Sequence, residues 1–161
     1  MRHIISVLLE NEAGALSRVS GLFSARGFNI ESLTVAQTND PGLSRMTIVS
    51  SGTDRVIEQI VKQLNKLIDV VKVIDLTDQD HVERELMLVK VCVKKKDELE
   101  VKQLVDIFSC KIVDVSDRTY TIEIAGKTRK LNAFLNALDF AIVMEVSRTG
   151  VTGISRGRTI I

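Results

Sequence analysis

Apolar residues along this chain switch between a helical and a strand-like period in the same order twice. That repeat narrows the folds open to it more than any other feature. Residues 4–9 (Ile-Ile-Ser-Val-Leu-Leu) form a short apolar, β-branched run, as expected of a central strand. Leu16, Val19, Leu22, Phe23 and Arg26 recur at helical spacing, predicting an amphipathic helix over 14–26. Residues 28–35 alternate apolar and polar, the pattern of a half-buried strand, and 43–49 return as the second arm of a hairpin. Pro41 and Gly42 between them predict a type II turn, with proline supplying the fixed φ and glycine the positive one. A loop and helix cap follow at 50–54. Val56, Ile57, Ile60, Val61, Leu64 and Leu67 then mark a second helix, and 70–76 a last strand. The order is βαββαβ.

The same order follows again. A strand at 86–93 leads to Asp97 and Glu100, spaced as a capping box. Val101, Leu104, Val105 and Phe108 share a helix face. A hairpin of 111–116 with 119–125 turns at Asp117-Arg118, Leu131, Phe134, Leu135 and Leu138 mark another helix, and 141–146 close the unit. The two halves share pattern and not residue identity, so the repeat is structural. The reading is an α+β chain of two βαββαβ units: a first domain at 1–77, a polar linker at 78–84, and a second domain at 85–161 that ends in a glycine-rich, basic tail. The tail, 150–158, is read either as a mobile terminus or as a segment that orders on a partner. Two helices cover only one face of each small sheet, so the other face needs the second unit or another subunit.

Composition excludes more than it selects. Net charge is +1, aromatic content 4%, and Trp is absent, which argues against nucleic acid and anionic membranes. No apolar run is long enough to span a bilayer. The start of the chain is not signal-peptide-like, so a cytoplasmic location is expected. Cys92 and Cys110 are too few and too isolated for a disulfide framework or a zinc site, and neither His3, read as a surface residue, nor His81 sits at ligand spacing. Gly126-Lys127-Thr128 imitates the end of a phosphate loop, but Thr121 stands where that loop needs its first glycine. It reads as a strand-to-helix turn. Lys94-Lys95-Lys96 is a solvated loop. Glu83, Arg84 and Glu85 lead into the second unit and are expected to pair across the subunit. No acid, base or nucleophile is held by a third group, and no metal set is present.

The first helix carries the one suggestive feature. Gly27 just past its end is the left-handed cap that a reversing chain needs. Gly14 at its start has no such simple reason. Lacking a Cβ, it would let an anion, most modestly a single carboxylate, approach the first free N–H groups, although an ordinary N-terminal glycine reads the same way.

Residues 7–19 (Val-Leu-Leu-Glu-Asn-Glu-Ala-Gly-Ala-Leu-Ser-Arg-Val), with 26–35 (Arg-Gly-Phe-Asn-Ile-Glu-Ser-Leu-Thr-Val), resemble the regulatory (small) subunits of acetolactate synthase. So do residues 43–47, 82–90 and Ser147-Arg148-Thr149-Gly150, and the likeness runs nearly end to end. The resemblance implies that both units are ferredoxin-like and that the first is an ACT domain, a sensor of small molecules. It implies a non-catalytic partner of a large subunit that carries thiamine diphosphate, Mg²⁺ and FAD, with no cofactor in this chain. It further implies activation of that subunit and feedback inhibition by a branched-chain amino acid, usually valine, with leucine and isoleucine as the other candidates. ACT sheets would join edge to edge in a homodimer with effector sites at the interface. On this sequence the effector loop is Asn11, Ala13, Gly14, Ala15 and Leu16, and the opposing subunit contributes Asn29 and Ile30. The effector carboxylate would meet the N–H groups of Gly14, Ala15 and Leu16, and Asn11 and Asn29 would add side-chain hydrogen bonds. The competing readings are a free-standing amino-acid sensor that acts on another partner and a nucleic-acid-binding ferredoxin-like protein; the missing strand aromatics weigh against the second.

Overall fold

The computed structural model describes residues 1–160. The chain divides into two compact units, Met1–Glu83 with Val151–Ile161, and Arg84–Gly150. In the first unit, β1 (Arg2–Glu10), α1 (Ala15–Ala25), β2 (Ser32–Gln37), β3 (Leu43–Ser51), α2 (Asp54–Leu64) and β4 (Val70–Asp75) follow the βαββαβ order. The strands form an antiparallel sheet in the order β2-β3-β1-β4. Because side chains alternate along a strand, Ile5, Val7 and Leu9 of β1 point to one face with Met46 and Ile48 of β3. There they meet Val19 and Phe23 of α1 and Ile57, Ile60 and Leu64 of α2 in one buried core.

The second unit repeats this plan. It contains most of β5 (His81–Cys92), then α3 (Glu98–Ile107), β6 (Lys111–Ser116), β7 (Thr119–Gly126), α4 (Thr128–Ala137) and β8 (Ile142–Arg148), with sheet order β6-β7-β5-β8. Met87, Val89 and Val91 alternate into its core with Ile122 and Ile124, against Val101, Val105, Leu131 and Phe134 of the helices. The periodicity therefore predicts the elements correctly in both halves.

The domain boundaries differ from those read from the sequence. The expected linker at 78–84 is a short turn followed by strand from His81 onward, and β5 runs through the boundary between the units. The expected tail belongs to the first unit. β9 (Thr152–Ser155) pairs with β5, and Val151 joins Ile4, Val49 and Leu76 in a small apolar cluster on the helix-free face of the first sheet. Gly153 makes this approach close. A Cβ there would lie 3.1 Å from Leu76 Cδ1 and 3.7 Å from Ile4 Cγ2, and its N–H faces Thr47 Oγ1 at 3.4 Å. Part of the face that two helices cannot cover is thus covered by the chain's own last segment.

Local departures have local causes. Residues 28–31 are not strand: the chain reverses at left-handed Gly27, and Phe28 folds back edge-to-face on Phe23, centroids 6.1 Å apart. Gly42 does not adopt a positive φ. Its turn is closed instead by Asp40, whose Oδ1 accepts from Gly42 N–H at 2.8 Å and whose carbonyl accepts from Leu43 N–H at 3.0 Å. Asp97 makes no capping bond: residues 95–97 form a 3₁₀ turn that holds it in a helical conformation, where its side chain cannot reach back over the first turn. His3 is buried rather than exposed, with Nδ1 at 3.2 Å from Asp75 Oδ2. Glu83 and Glu85 find partners within their own chain, Glu83 with Arg2 and Glu85 with Arg148.

Candidate functional site

The candidate site is the turn from β1 into α1. The turn is tied down from outside itself. Asn11 N–H donates to Gly42 O at 2.8 Å, and Glu10 N–H donates to Asp69 O at 2.8 Å. The Asn11 amide spans the gap to the β2–β3 hairpin, donating from Nδ2 to Pro41 O at 3.1 Å and accepting from Ser44 Oγ at 3.1 Å. Asn11 therefore has a structural task that the sequence does not disclose: it holds the loop in place.

Gly14 is the N-cap of α1 with φ 90 and ψ −10, a left-handed conformation. This is the simple reason that the sequence reading lacks, since an L side chain there costs about 1–2 kcal/mol. The first turn of α1 contains no acidic residue. Of the N–H groups expected to meet a carboxylate, that of Ala15 is engaged by Glu12 O at 3.2 Å, and Ala15 itself is buried. Among the described residues no acceptor engages the N–H of Gly14, Leu16 or Ser17. Ala13 is exposed in the turn, and Leu16 is 42% exposed beside it.

Two residues that sequence reasoning missed stand beside the turn. Asp69, in the connection between α2 and β4, is buried, and its carboxylate grips Arg18 of α1 with both oxygens, the Nη2–Oδ1 bond being 2.7 Å. That hydrogen bond holds the Asp69 carboxyl below the usual carboxylate range, with desolvation opposing it, and holds the Arg18 guanidinium above its ordinary value. The guanidinium lies over Gly14, where a Cβ would stand 3.0 Å from Nη1. One carboxylate oxygen from each of Glu10, Glu12 and Asp69 lies within 4.8 Å of the other two. Arg18 falls one turn after Gly14, a spacing a sequence reading could weigh; its partner, 51 residues away, leaves no local signal.

Asn29 and Ile30 sit elsewhere. Asn29 O accepts from Ser50 Oγ at 2.7 Å, whereas Asn11 is bonded to Ser44 Oγ. Ser44 and Ser50 lie near opposite ends of β3, so at about 3.3 Å per residue the two asparagines anchor about 20 Å apart. Ile30 packs against the first core. Within one chain the structure groups Asn11, Ala13, Gly14, Ala15 and Leu16 and separates them from Asn29 and Ile30.

The second unit offers a weaker candidate. A cleft of about 550 Å³ at the start of α4 is lined by Arg84, Lys127, Arg129 and Lys130. Gly126-Lys127-Thr128 is the β7-to-α4 turn the sequence predicts. Cys110 is half-buried, and that burial pushes its thiol pKa up, away from the reactive thiolate. Among the described residues no helix is long and apolar enough to cross a membrane.

Comparison with known proteins adds the context. Residues 5–72 match the AHAS small subunit-like ACT domain family, and residues 84–157 match the family of the small subunit of acetolactate synthase. The chain is 58% identical over 158 residues to the acetolactate synthase isozyme 3 small subunit of Salmonella typhimurium, covering 98% of this chain and 97% of that protein. It is 57% identical to the Escherichia coli K12 counterpart over the same length. A crystal structure of the acetolactate synthase small subunit from Thermotoga maritima superposes with a TM-score of 0.90 at 43% identity, covering 99% of both chains.

Proposed function

Because the chain belongs to the family of acetolactate synthase small subunits, which are not themselves catalytic, we propose that it activates the catalytic large subunit and makes it sensitive to a branched-chain amino acid, valine first. The first ferredoxin-like unit is the ACT domain of that family. The effector is bound at the β1–α1 turn. Thiamine diphosphate, Mg²⁺ and FAD reside on the catalytic partner, and no residue of this chain is assigned to them.

One observation carries the reading: Gly14, left-handed at the head of a helix whose first turn is free of acids, opens that helix start to a carboxylate. The helix start alone contributes about 0.3–1 kcal/mol per charge when exposed, so neighbouring side chains must add to it. The separation of Asn11 from Asn29 supports an effector site shared between two copies. Each chain presents Asn11 at one end of its sheet and Asn29 at the other, so a homodimer joined through sheet edges is the arrangement that lets both residues face one ligand. A ligand held between two copies biases how they are arranged, provided it binds the two arrangements unequally. That is how a non-catalytic chain changes an enzyme's rate.

The test is an activity assay of the matched catalytic subunit with this chain added, followed by titration of valine, leucine and isoleucine. Activation, then inhibition by one of them at lower concentration than by the others, is the expected result. Activation that no branched-chain amino acid reverses would overturn the effector assignment.

A further inference from the structure

We propose that Arg18 is the group that receives the effector's carboxylate, and that the acidic residues around it restrict the ligand to α-amino acids and exclude their 2-oxo analogues. The inference rests on the effector reading of the β1–α1 turn and identifies the groups that recognise each end of the ligand.

Arginine presents its donors as a rigid planar fork. Asp69 takes one edge of that fork, Nε and Nη2, and thereby fixes the plane. Nη1 is left without an acceptor among the described residues, and it lies 3.0 Å from the position a Cβ on Gly14 would occupy. Nη1 stands beside Gly14, the N-cap of α1, so a carboxylate drawn to the start of that helix comes toward it. The resulting charge-assisted hydrogen bond is stronger than backbone donors provide alone. Gly14 then has two reasons to be glycine: its own left-handed backbone, and the space in which Nη1 and the ligand meet. Asp69 acts through Arg18 and is a positioning residue.

The surrounding charge sets the ligand class. Glu10 and Glu12 are exposed, and one carboxylate oxygen of each lies within 4.8 Å of the other and of an Asp69 oxygen. Three carboxylates against one guanidinium leave the cluster negative. A simple anion meets net repulsion there, and a simple cation meets the guanidinium. A zwitterion satisfies both, with its carboxylate on Nη1 and its ammonium toward Glu10 and Glu12. A 2-oxo acid has the first group and lacks the second; an amino-acid amide has the second and lacks the first.

Calorimetric titration of the full chain with valine, valinamide and 3-methyl-2-oxobutanoate tests this. The unmodified chain is expected to bind valine at least about 10-fold more tightly than either analogue, the range of one charged hydrogen bond. Arg18→Gln should weaken valine about 10-fold or more and change valinamide by less than about 3-fold, so that the preference for a carboxylate collapses. Arg18→Lys, which keeps the cation, should retain most of that preference. Glu12→Gln should narrow the gap between valine and the 2-oxo acid. A purely structural role for Arg18 would weaken valine and valinamide alike. That outcome, or unchanged valine binding by Arg18→Gln, overturns the assignment while the effector reading stands. Failure of the unmodified chain to bind valine, leucine or isoleucine would overturn both together.

Discussion

The two units share a topology and differ most at the start of their first helices. In the first unit β1 passes into α1 through a four-residue turn that ends in left-handed Gly14, with no acid in the first helical turn. In the second, β5 passes into α3 through Lys94 and a 3₁₀ turn at Lys95–Asp97, and Glu98 and Glu100 occupy the first turn of the helix. The positive end of α3 is neutralised by its own side chains. That of α1 is left to the solvent or to a ligand, under the guanidinium of Arg18. The βαββαβ plan supplies a helix start in both places; the residues placed there decide which one can take an anion. Each unit also contains an arginine–carboxylate fork. Arg148 is bound to Glu85 by two hydrogen bonds, with Thr128 Oγ1 also donating to the carboxylate and Asn132 Oδ1 accepting from Nη1. Arg18 is bound to Asp69 the same way but keeps Nη1 in hand. All three nitrogens of the second guanidinium have an acceptor, whereas Nη1 of the first has none among the described residues.

The strongest way to break this contrast is Gly14→Asp. Aspartate tolerates a left-handed backbone better than most residues, so the chain should still fold. Its carboxylate would be placed against Arg18 Nη1, where the effector's carboxylate is assigned. Inhibition of the reconstituted enzyme by valine should be lost while activation persists. Retained inhibition at the original concentration would mean that α1 is no more a ligand site than α3.

A smaller effect separates the two forks. The Asp69 carboxyl is held below the unfolded value of about 3.9 by the Arg18 hydrogen bond. A depressed acid stabilises the fold fully above that unfolded value, and its contribution is lost as pH falls through the folded value. Asp69→Asn should therefore lower the melting temperature at pH 7, and the gap from the unmodified chain should shrink as pH falls below about 4. A gap that stays constant into acid would show that the pair does not contribute through charge. Glu85→Gln should lower the melting temperature as well and leave the discrimination between valine and valinamide untouched.

What the sequence discloses, and what it does not, follows the range of each interaction. Alternation at residues 4–9 and helical spacing from Leu16 to Phe23 are local patterns, and β1 and α1 appear where they predict. Backbone conformation at glycines is set by neighbours. Gly42 looks like the residue that needs a positive φ, and Asp40 relieves it of that need; Gly14 stands out without a stated backbone reason and has one. Burial of the last segment depends on Val151 and Gly153 meeting Ile4 and Leu76, contacts between opposite ends of the chain that no window of sequence contains. The same holds for Arg18 and Asp69. Asn11 and Gly14 stand together in one turn and are named by the family resemblance, whereas the placing of the Arg18 guanidinium depends on a carboxylate 51 residues away.

The smallest predicted effect is the one most specific to the helix starts. Asp97 has the sequence of a cap and does none of a cap's work, since its helical backbone directs the carboxylate away from the free N–H groups of α3. Asp97→Ala should cost under about 0.5 kcal/mol, compared with about 1 kcal/mol for a cap that makes its bond. Gly14→Ala, at the equivalent helix start of the first unit, should cost about 1–2 kcal/mol because alanine must adopt φ 90. Thermal unfolding of the two variants compares them directly. Equal losses would mean that the two helix starts are held alike and that α1 is not built around an exceptional residue. A loss confined to Gly14→Ala would show that the left-handed glycine, and not the shared topology, sets the start of α1 apart.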